Sequence, residues 1–286
     1  MIIYNKYRNA IYTGKAVSVV DFLKRIFERE KIEYFASLSF SELECINQRL
    51  LSQMKFQPKS AILFLVPYYS GETVNISRYA ASLDYHIVIK KITDSVIAAL
   101  SEKYPENSFC GFGDHSPINE SRAALISGLG VAGDNGLLIN EKYGSYVFVG
   151  DILCDVEPNE LGAVAPKPIT ACEHCGACRA ACPTGILSGH GSDCLSAITQ
   201  RKGELSEWEV SLMKSVGTVW GCDICQSVCP HNKKPEKTPI EIFYGARIEK
   251  LTKETLDAMS DEEFKMRAFA WRGRAVLERN LDKLRQ

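Results

Sequence analysis

The residues best suited to chemistry are eight cysteines that fall into two sets. The stretch Cys172 to Pro183 reads C-E-H-C-G-A-C-R-A-A-C-P, which is C-x₂-C-x₂-C-x₃-C-P. In this spacing three thiolates can hold three corners of one iron–sulfur cube, while the fourth points toward a second cube. The second set comprises Cys194, Cys222, Cys225 and Cys229, the last followed by proline. Eight thiolates suffice for two 4Fe–4S clusters.

We predict that the two sets exchange one ligand each. The predicted ligands are Cys172, Cys175, Cys178 and Cys229 for one cluster, and Cys194, Cys222, Cys225 and Cys182 for the other. The alternatives are two zinc sites or a disulfide framework. Zinc motifs usually supply cysteines in pairs, without the tripled C-x₂-C-x₂-C and the terminal Cys-Pro. The pattern therefore favours a bacterial-ferredoxin-like domain with two clusters.

The remaining composition is that of a globular protein. The chain has 286 residues, 45% hydrophobic and 24% charged, and its net charge of −1 gives no overall attraction to nucleic acid or anionic membrane. We expect no membrane span, and residues 1–12 carry no signal-peptide pattern. Eleven cysteines in such a chain predict metal binding in the cytoplasm. Cys45, Cys110 and Cys154 lie outside both sets and are expected to be packing residues.

Helices and strands alternate before the cysteines, and this predicts a mixed fold of the α/β or α+β class. Ser18 and Asp84 are expected to cap helices, and the apolar run Ala61–Val66 is expected to form a buried strand. The proline-containing stretch 155–168 is the best linker candidate. We therefore predict an α/β cofactor-binding domain over residues 1–160, a two-cluster domain over 161–235 and a short helical tail over 236–286.

The predicted α/β domain contains one glycine-rich stretch. Gly128 to Gly133 has G-x-G-x-x-G spacing, but it ends a helix predicted to begin at Asn119, so it is weak evidence for a dinucleotide. The sequence has no P-loop. Clusters joined to a larger domain usually feed electrons to something that the domain holds. We therefore expect a cofactor in the cleft between the two domains.

Several motifs stand in an order that resembles a known family. They are Arg78–His86 (RYAASLDYH), Gly113–Glu120 (GDHSPINE), Leu129–Asn140 (LGVAGDNGLLIN), Tyr143–Leu153 (YGSYVFVGDIL) and the two cysteine sets. This ordered set is similar to the epoxyqueuosine reductases and, more distantly, to the reductive dehalogenases. The resemblance runs from about residue 60 to residue 232 and returns weakly near the C-terminus.

The resemblance implies a cobalamin-dependent oxidoreductase with two 4Fe–4S clusters. A reduced donor of the ferredoxin or flavodoxin type would supply electrons, and the substrate would be the epoxide of a modified tRNA nucleoside in queuosine biosynthesis. Asp114 matches the proton-donating aspartate of the family, although His115 departs from the family pattern; the alternative is a turn or capping aspartate. The implied corrinoid contacts are Asp114, Gly133, Asp134, Asn135 and Ser196.

Three departures from the family leave the tRNA substrate open. Gly133-Asp134 replaces the usual Gly-Lys, the residues after Cys194 match only in part, and the long helical extension after the clusters is lacking. The basic residues between Arg272 and Arg285 are interpreted as a solvated helix face or as a weak nucleic-acid surface. Two further hypotheses therefore remain: a two-cluster electron-transfer protein that donates to a partner or to a corrinoid enzyme, and a metal-stabilised binding module.

Overall fold

The computed structural model describes residues 18–191 and 193–285. The first residues, 1–12, for which the sequence predicts no targeting signal, lie outside that range. None of the helices within it is long and apolar enough to cross a membrane.

The larger part of the fold is built on a four-stranded sheet in the order β1-β2-β6-β3, with every neighbouring pair antiparallel. A short hairpin, β4-β5, lies beside it. The predicted buried strand is β2, and all eight of its residues are buried. The strands are β1 Phe35–Ser39, β2 Ser60–Pro67, β3 Phe109–Phe112, β4 Val131–Ala132, β5 Leu138–Ile139 and β6 Val147–Cys154.

Helices cover both faces of the sheet, which is why β2 is apolar from Ala61 onward. Ile62 and Phe64 pack with α1 and α3 on one face, and Leu63 and Leu65 pack with α4 on the other. The predicted mixed α/β class is confirmed. The helices are α1 Val19–Arg29, α2 Gln48–Ser52, α3 Tyr85–Lys103, α4 Glu120–Ile126, α5 Ala177–Ala181, α6 Leu195–Gln200, α7 Glu207–Val216, α8 Ile224–Ser227, α9 Lys253–Ala258, α10 Asp261–Lys265 and α11 Arg274–Arg285.

The predicted helix starts are observed because each supplies an acceptor for an otherwise unpaired backbone N–H. Ser18 accepts from the amide of Asp21 at 3.1 Å and caps α1. Asp84 accepts from the amide of His86 at 3.0 Å and caps α3. At α10, Ser260 and Glu263 form the predicted capping box.

The helical tail packs back onto the sheet domain and the cysteine segment together. Phe269 and Leu277 share one buried cluster with Ile76 and Trp220. Ile76 also bridges Trp220 in the parallel sense. The tail therefore joins the loop before α3 to the segment that carries the second cysteine set. The exact domain boundaries remain a prediction.

Candidate functional site

The four cysteines predicted for the first cluster are brought together by two short helices that pack against each other. Cys178 lies in α5, and Cys229 follows α8, so their contact brings the first motif to the last cysteine of the second. One small cavity is lined by all four residues predicted for this cluster, Cys172, Cys175, Cys178 and Cys229. This donor set of four thiols fits a 4Fe–4S cluster.

Three of the cysteines predicted for the second cluster, Cys194, Cys222 and Cys225, line a different cavity. Cys222 precedes α8 and Cys225 is in its first turn, while Cys194 caps α6. Burial first, with Cys194, Asp223 and Cys182 adding, raises the pKa of Cys222 to about 11. Burial also raises the pKa of Cys225, to about 12. Cys182, the fourth ligand predicted for this cluster, is among the groups that raise the pKa of Cys222, and binding of a cluster must displace these thiol protons.

A large cleft of about 710 Å³ lies between the sheet domain and the second cysteine set. Its volume is in the range of small-molecule and cofactor sites. Aromatic side chains make much of its wall, and Tyr85 stacks on Phe148 with ring centroids 4.1 Å apart. Cys194, Cys222 and Cys225 line the same cleft as Asp114. A cofactor held there would lie between the thiols and the aspartate.

Asp114 sits on a turn that its neighbours hold in place. Both Asp114 and His115 are left-handed, with φ of 66° and 59°. Tyr85 donates to Oδ2 of Asp114 at 3.2 Å, and Nε2 of His86 lies 3.6 Å from the same oxygen. The amide of Asp114 donates to Oε1 of Glu120 at 3.1 Å. The Asp114 side chain is about half exposed, so it can reach a molecule in the cleft.

A buried pair of carboxyl groups lies behind this turn. Asp151 on β6 is fully buried, accepts from Ser116 at 3.1 Å and lies close enough to Glu120 for the two carboxyl groups to repel each other when charged. Burial raises the pKa of Glu120 to about 7 and holds that of Asp151 well above its usual range, with mutual repulsion adding to the Asp151 shift. Oδ1 of Asp151 finds no donor among the described residues. The raised pKa values of both groups favour a proton on one of the two carboxyls, close to Asp114.

Glu120→Gln should reduce the pH dependence of stability while leaving the turn in place, because the amide oxygen can still accept from Asp114. Since the folded-state pKa of Glu120 is above its ordinary value, the free energy of unfolding falls as pH rises from 4.5 to about 7. In the variant, the free energy of unfolding should lose the pH dependence that comes from this one titrating group, which is roughly 1.4 kcal/mol per pH unit.

This is checked by the thermal midpoint of cluster-replete protein, scanned at one heating rate across that pH window. Glu44→Gln, a surface glutamate 3.7 Å from Arg122, is the matched control. Parallel curves for the wild type and Glu120→Gln would mean that Glu120 does not titrate in the folded protein.

The second cysteine set is fixed to the sheet domain by a buried ion pair. Nη1 of Arg78 lies 3.1 Å from Oδ2 of Asp223, which also accepts from the Arg78 amide at 2.7 Å. Nε1 of Trp220 donates to Tyr79 at 2.8 Å nearby. Asp223 stands between Cys222 and Cys225, so these contacts hold both thiols against the cleft. Arg78 and Tyr79 lie in the first of the family-like motifs, but local spacing predicts no role for either.

The predicted cofactor contacts separate into two places. Asn135 and Ser196 line the large cleft with Asp114. Asp134 lines the first cysteine cavity instead, where Oδ1 lies 2.8 Å from Nδ1 of His174. Gly133 lies in the β4-β5 turn, where a Cβ would come within 2.4 Å of Asn135 Oδ1. Four further residues complete the Asp114 site: Tyr85, His86, Glu120 and Asp151. None of them was predicted as a site residue, although Glu120 ends the motif that contains Asp114.

Comparison with known proteins identifies the cysteine segment. A family described as the 4Fe-4S double cluster binding domain matches residues 171–232. This match confirms the prediction of two 4Fe–4S clusters. It lies within the predicted cluster domain and includes all eight cysteines.

Curated epoxyqueuosine reductases match a larger part of the chain. The protein from Cellulophaga algicola is 32% identical over 230 residues, which are 72% of this chain and 69% of that protein. The Cyclobacterium marinum protein is 32% identical over 225 residues, 70% and 68% of the two chains. The Staphylococcus aureus protein is 31% identical over 208 residues, and the match spans 69% of this chain but only 52% of that protein. The matched part of the chain thus spans between 52% and 69% of the length of these three relatives.

Solved structures share the fold. The epoxyqueuosine reductase of Streptococcus thermophilus superposes with a TM-score of 0.71 at 24% identity, over 92% of this chain and 80% of that one. A complex of epoxyqueuosine reductase with an epoxyqueuosine-modified tRNA-Tyr stem loop superposes with a TM-score of 0.71 at 22% identity, over 93% and 81%.

Proposed function

The chain belongs to the epoxyqueuosine reductase family, and from this premise we propose that it is an oxidoreductase that reduces the epoxide of a modified tRNA nucleoside to an alkene. One observation carries the proposal: Asp114 and three cysteines of the second set line a single cleft. An electron-transfer protein would need its thiols near a surface, but it would not need a deep cleft that also presents an acid.

The proposed cofactors are two 4Fe–4S clusters, which the family match supports, and a corrinoid in the cleft. When bound, the clusters would supply electrons one at a time and the corrinoid would deliver them to the substrate. The crossed cysteine sets are the proposed cluster ligands. For the corrinoid we propose contacts from Asp114, Asn135 and Ser196, which line the cleft, and from the aromatic wall. Gly133 and Asp134 lie in the hairpin turn before Asn135 and would act through Asn135.

In the proposed reaction, residues of the chain would donate the protons that the substrate takes up. Reduction of an epoxide to an alkene takes two electrons and two protons, and the oxygen leaves as water. Asp114 would donate a proton to that oxygen, which lowers the barrier to its departure. Tyr85 and His86 would orient the Asp114 carboxyl through contacts to Oδ2. Glu120 would hold the turn and, with Asp151, supply the next proton.

The proposed setting is the cytoplasm, with a ferredoxin- or flavodoxin-type electron donor. All eleven cysteines are free of disulfides in the structure, which agrees with a reducing compartment. Low-potential carriers of this kind are suitable donors to 4Fe–4S clusters.

The test is anaerobic reconstitution with iron, sulfide and cobalamin, followed by turnover of an epoxyqueuosine-containing stem loop under a low-potential reductant. We expect a corrinoid spectrum that changes on reduction, and a product that is lighter by one oxygen atom. Cluster-replete protein that binds no cobalamin at micromolar concentration would overturn the proposal and favour the electron-transfer hypothesis.

A further inference from the structure

Trp271 is a large aromatic side chain that is exposed at the large cleft. It lines the cleft together with Asp114, yet 60% of its surface is accessible. The residues before it are buried: Phe269 packs edge-on against Trp220, with ring centroids 6.2 Å apart. The turn is therefore fixed, and the Trp271 side chain contributes little to the core. A tryptophan held in this way at a cleft is suited to contact a ligand.

Arg272 supports the Trp271 ring from one side. Its guanidinium carbon lies 3.6 Å from the ring centroid, which is a close cation–π contact. Because this face is covered, the exposed part of Trp271 is mainly the opposite face and the ring edge. The arrangement presents a flat aromatic surface with a positive charge behind it.

Three other arginines of the tail, Arg274, Arg279 and Arg285, are paired with groups of the protein itself. Arg274 donates to the carbonyl oxygens of Leu256 and Met259, each at 2.7 Å. Arg279 donates to the carbonyl of Arg201 at 2.7 Å, and Arg285 pairs with Glu254 at 2.9 Å. Arg274 and Arg279 thus satisfy backbone acceptors. Within the predicted basic face, the guanidinium groups of Arg274 and Arg279 are therefore not free to contact a phosphate backbone.

Resting on the RNA substrate of the proposed function, we propose that Trp271, backed by Arg272, is the stacking platform for an unpaired base of the RNA loop beside the reacting nucleoside. An unstacked base presents a flat face that pairs well with an indole ring, and any base can do so. A paired base in a helix is already stacked on both faces. The platform therefore selects a loop over a duplex without reading its sequence.

The test measures binding alone, with cluster-replete protein and no turnover. The probes are a dye-labelled unmodified anticodon stem loop and a fully paired RNA duplex of equal charge. Trp271→Ala should weaken loop binding by about 5- to 150-fold, the usual range for loss of one base–aromatic stack. Duplex binding and the salt dependence of loop binding should not change, because stacking neutralises no phosphate. Trp271→Phe should recover most of the affinity.

Trp208→Ala is the matched control, because Trp208 is 55% exposed on α7 and does not line the cleft. Cluster absorbance verifies that each variant is folded. Wild-type loop affinity in Trp271→Ala would overturn the platform and leave the proposed reaction standing. If neither the wild type nor Trp271→Ala binds either probe at low salt, both the RNA substrate and the platform are overturned.

Discussion

Asp114→Asn is expected to lower turnover by about 10²–10⁴-fold, the usual contribution of a general acid, while both clusters and the corrinoid stay bound. The substitution removes the transferable proton and preserves the size of the side chain. Tyr85 can still donate to the amide oxygen that replaces Oδ2. The loss should therefore appear in the chemical step, measured as single-turnover product formation from the modified stem loop.

Asparagine is also the substitution that disturbs this turn least. Asp114 adopts a left-handed conformation with φ of 66°, which asparagine and aspartate tolerate better than other non-glycine residues. Replacement by alanine would combine loss of the acid with backbone strain and loss of the Tyr85 contact. A change in Asp114→Asn can therefore be assigned to the proton and not to a collapsed loop.

Asp94→Asn provides the matched control for this prediction. Asp94 lies on the surface of α3 and pairs with Lys90 at 2.7 Å, away from the cleft. It should retain wild-type turnover and cluster content. Wild-type single-turnover rates in Asp114→Asn would leave Asp114 as a turn residue only, and Glu120 would then become the next candidate for the acid.

The sequence identified those features of the site that depend on local spacing. The C-x₂-C-x₂-C spacing lets Cys172, Cys175 and Cys178 bind one cluster, while Cys182 is directed to the second, so this motif alone predicts two-cluster chemistry. The helix caps at Ser18 and Asp84 are local in the same sense, because a cap bonds to an amide two or three residues ahead. The continuous apolar run of β2 likewise predicts a strand buried on both faces.

The cleft could not be derived in this way because distant segments form it. His86, Asp114 and Trp271 meet only after the tail packs onto Trp220 and the loop before α3. Asp151 lies in the mostly apolar strand β6, where nothing in the local sequence predicts a role for it. Its role follows from its neighbour Glu120, which comes from α4. The partners of the tail arginines could not be predicted for a related reason. The charge of these arginines is visible in the sequence, whereas the carbonyl oxygens that occupy Arg274 and Arg279 belong to other segments.

Cys229→Ser is expected to remove one cluster and leave the other, so iron should fall from about eight to about four atoms per chain. Serine cannot supply the thiolate that completes the proposed set with Cys172, Cys175 and Cys178. Those three residues line the same cavity as Cys229, although Cys229 belongs to the second cysteine motif of the sequence. Iron and labile sulfide of anaerobically purified protein give the count, and Cys45→Ser, outside both sets, should leave it unchanged.

The identity of the surviving cluster separates crossed from uncrossed ligation. If ligation is crossed, Cys229→Ser and Cys175→Ser lose the same cluster, so both variants should show the same remaining electron paramagnetic resonance signal and the same reduction potential. The double variant should then be no more deficient in iron than either single variant, because both changes act on one site. Cys182→Ser should instead match Cys225→Ser, since both residues are proposed ligands of the second cluster. If Cys229→Ser matched Cys225→Ser, each motif would hold its own cluster, and the shared cavity around Cys178 and Cys229 would reflect only the packing of α5 on α8.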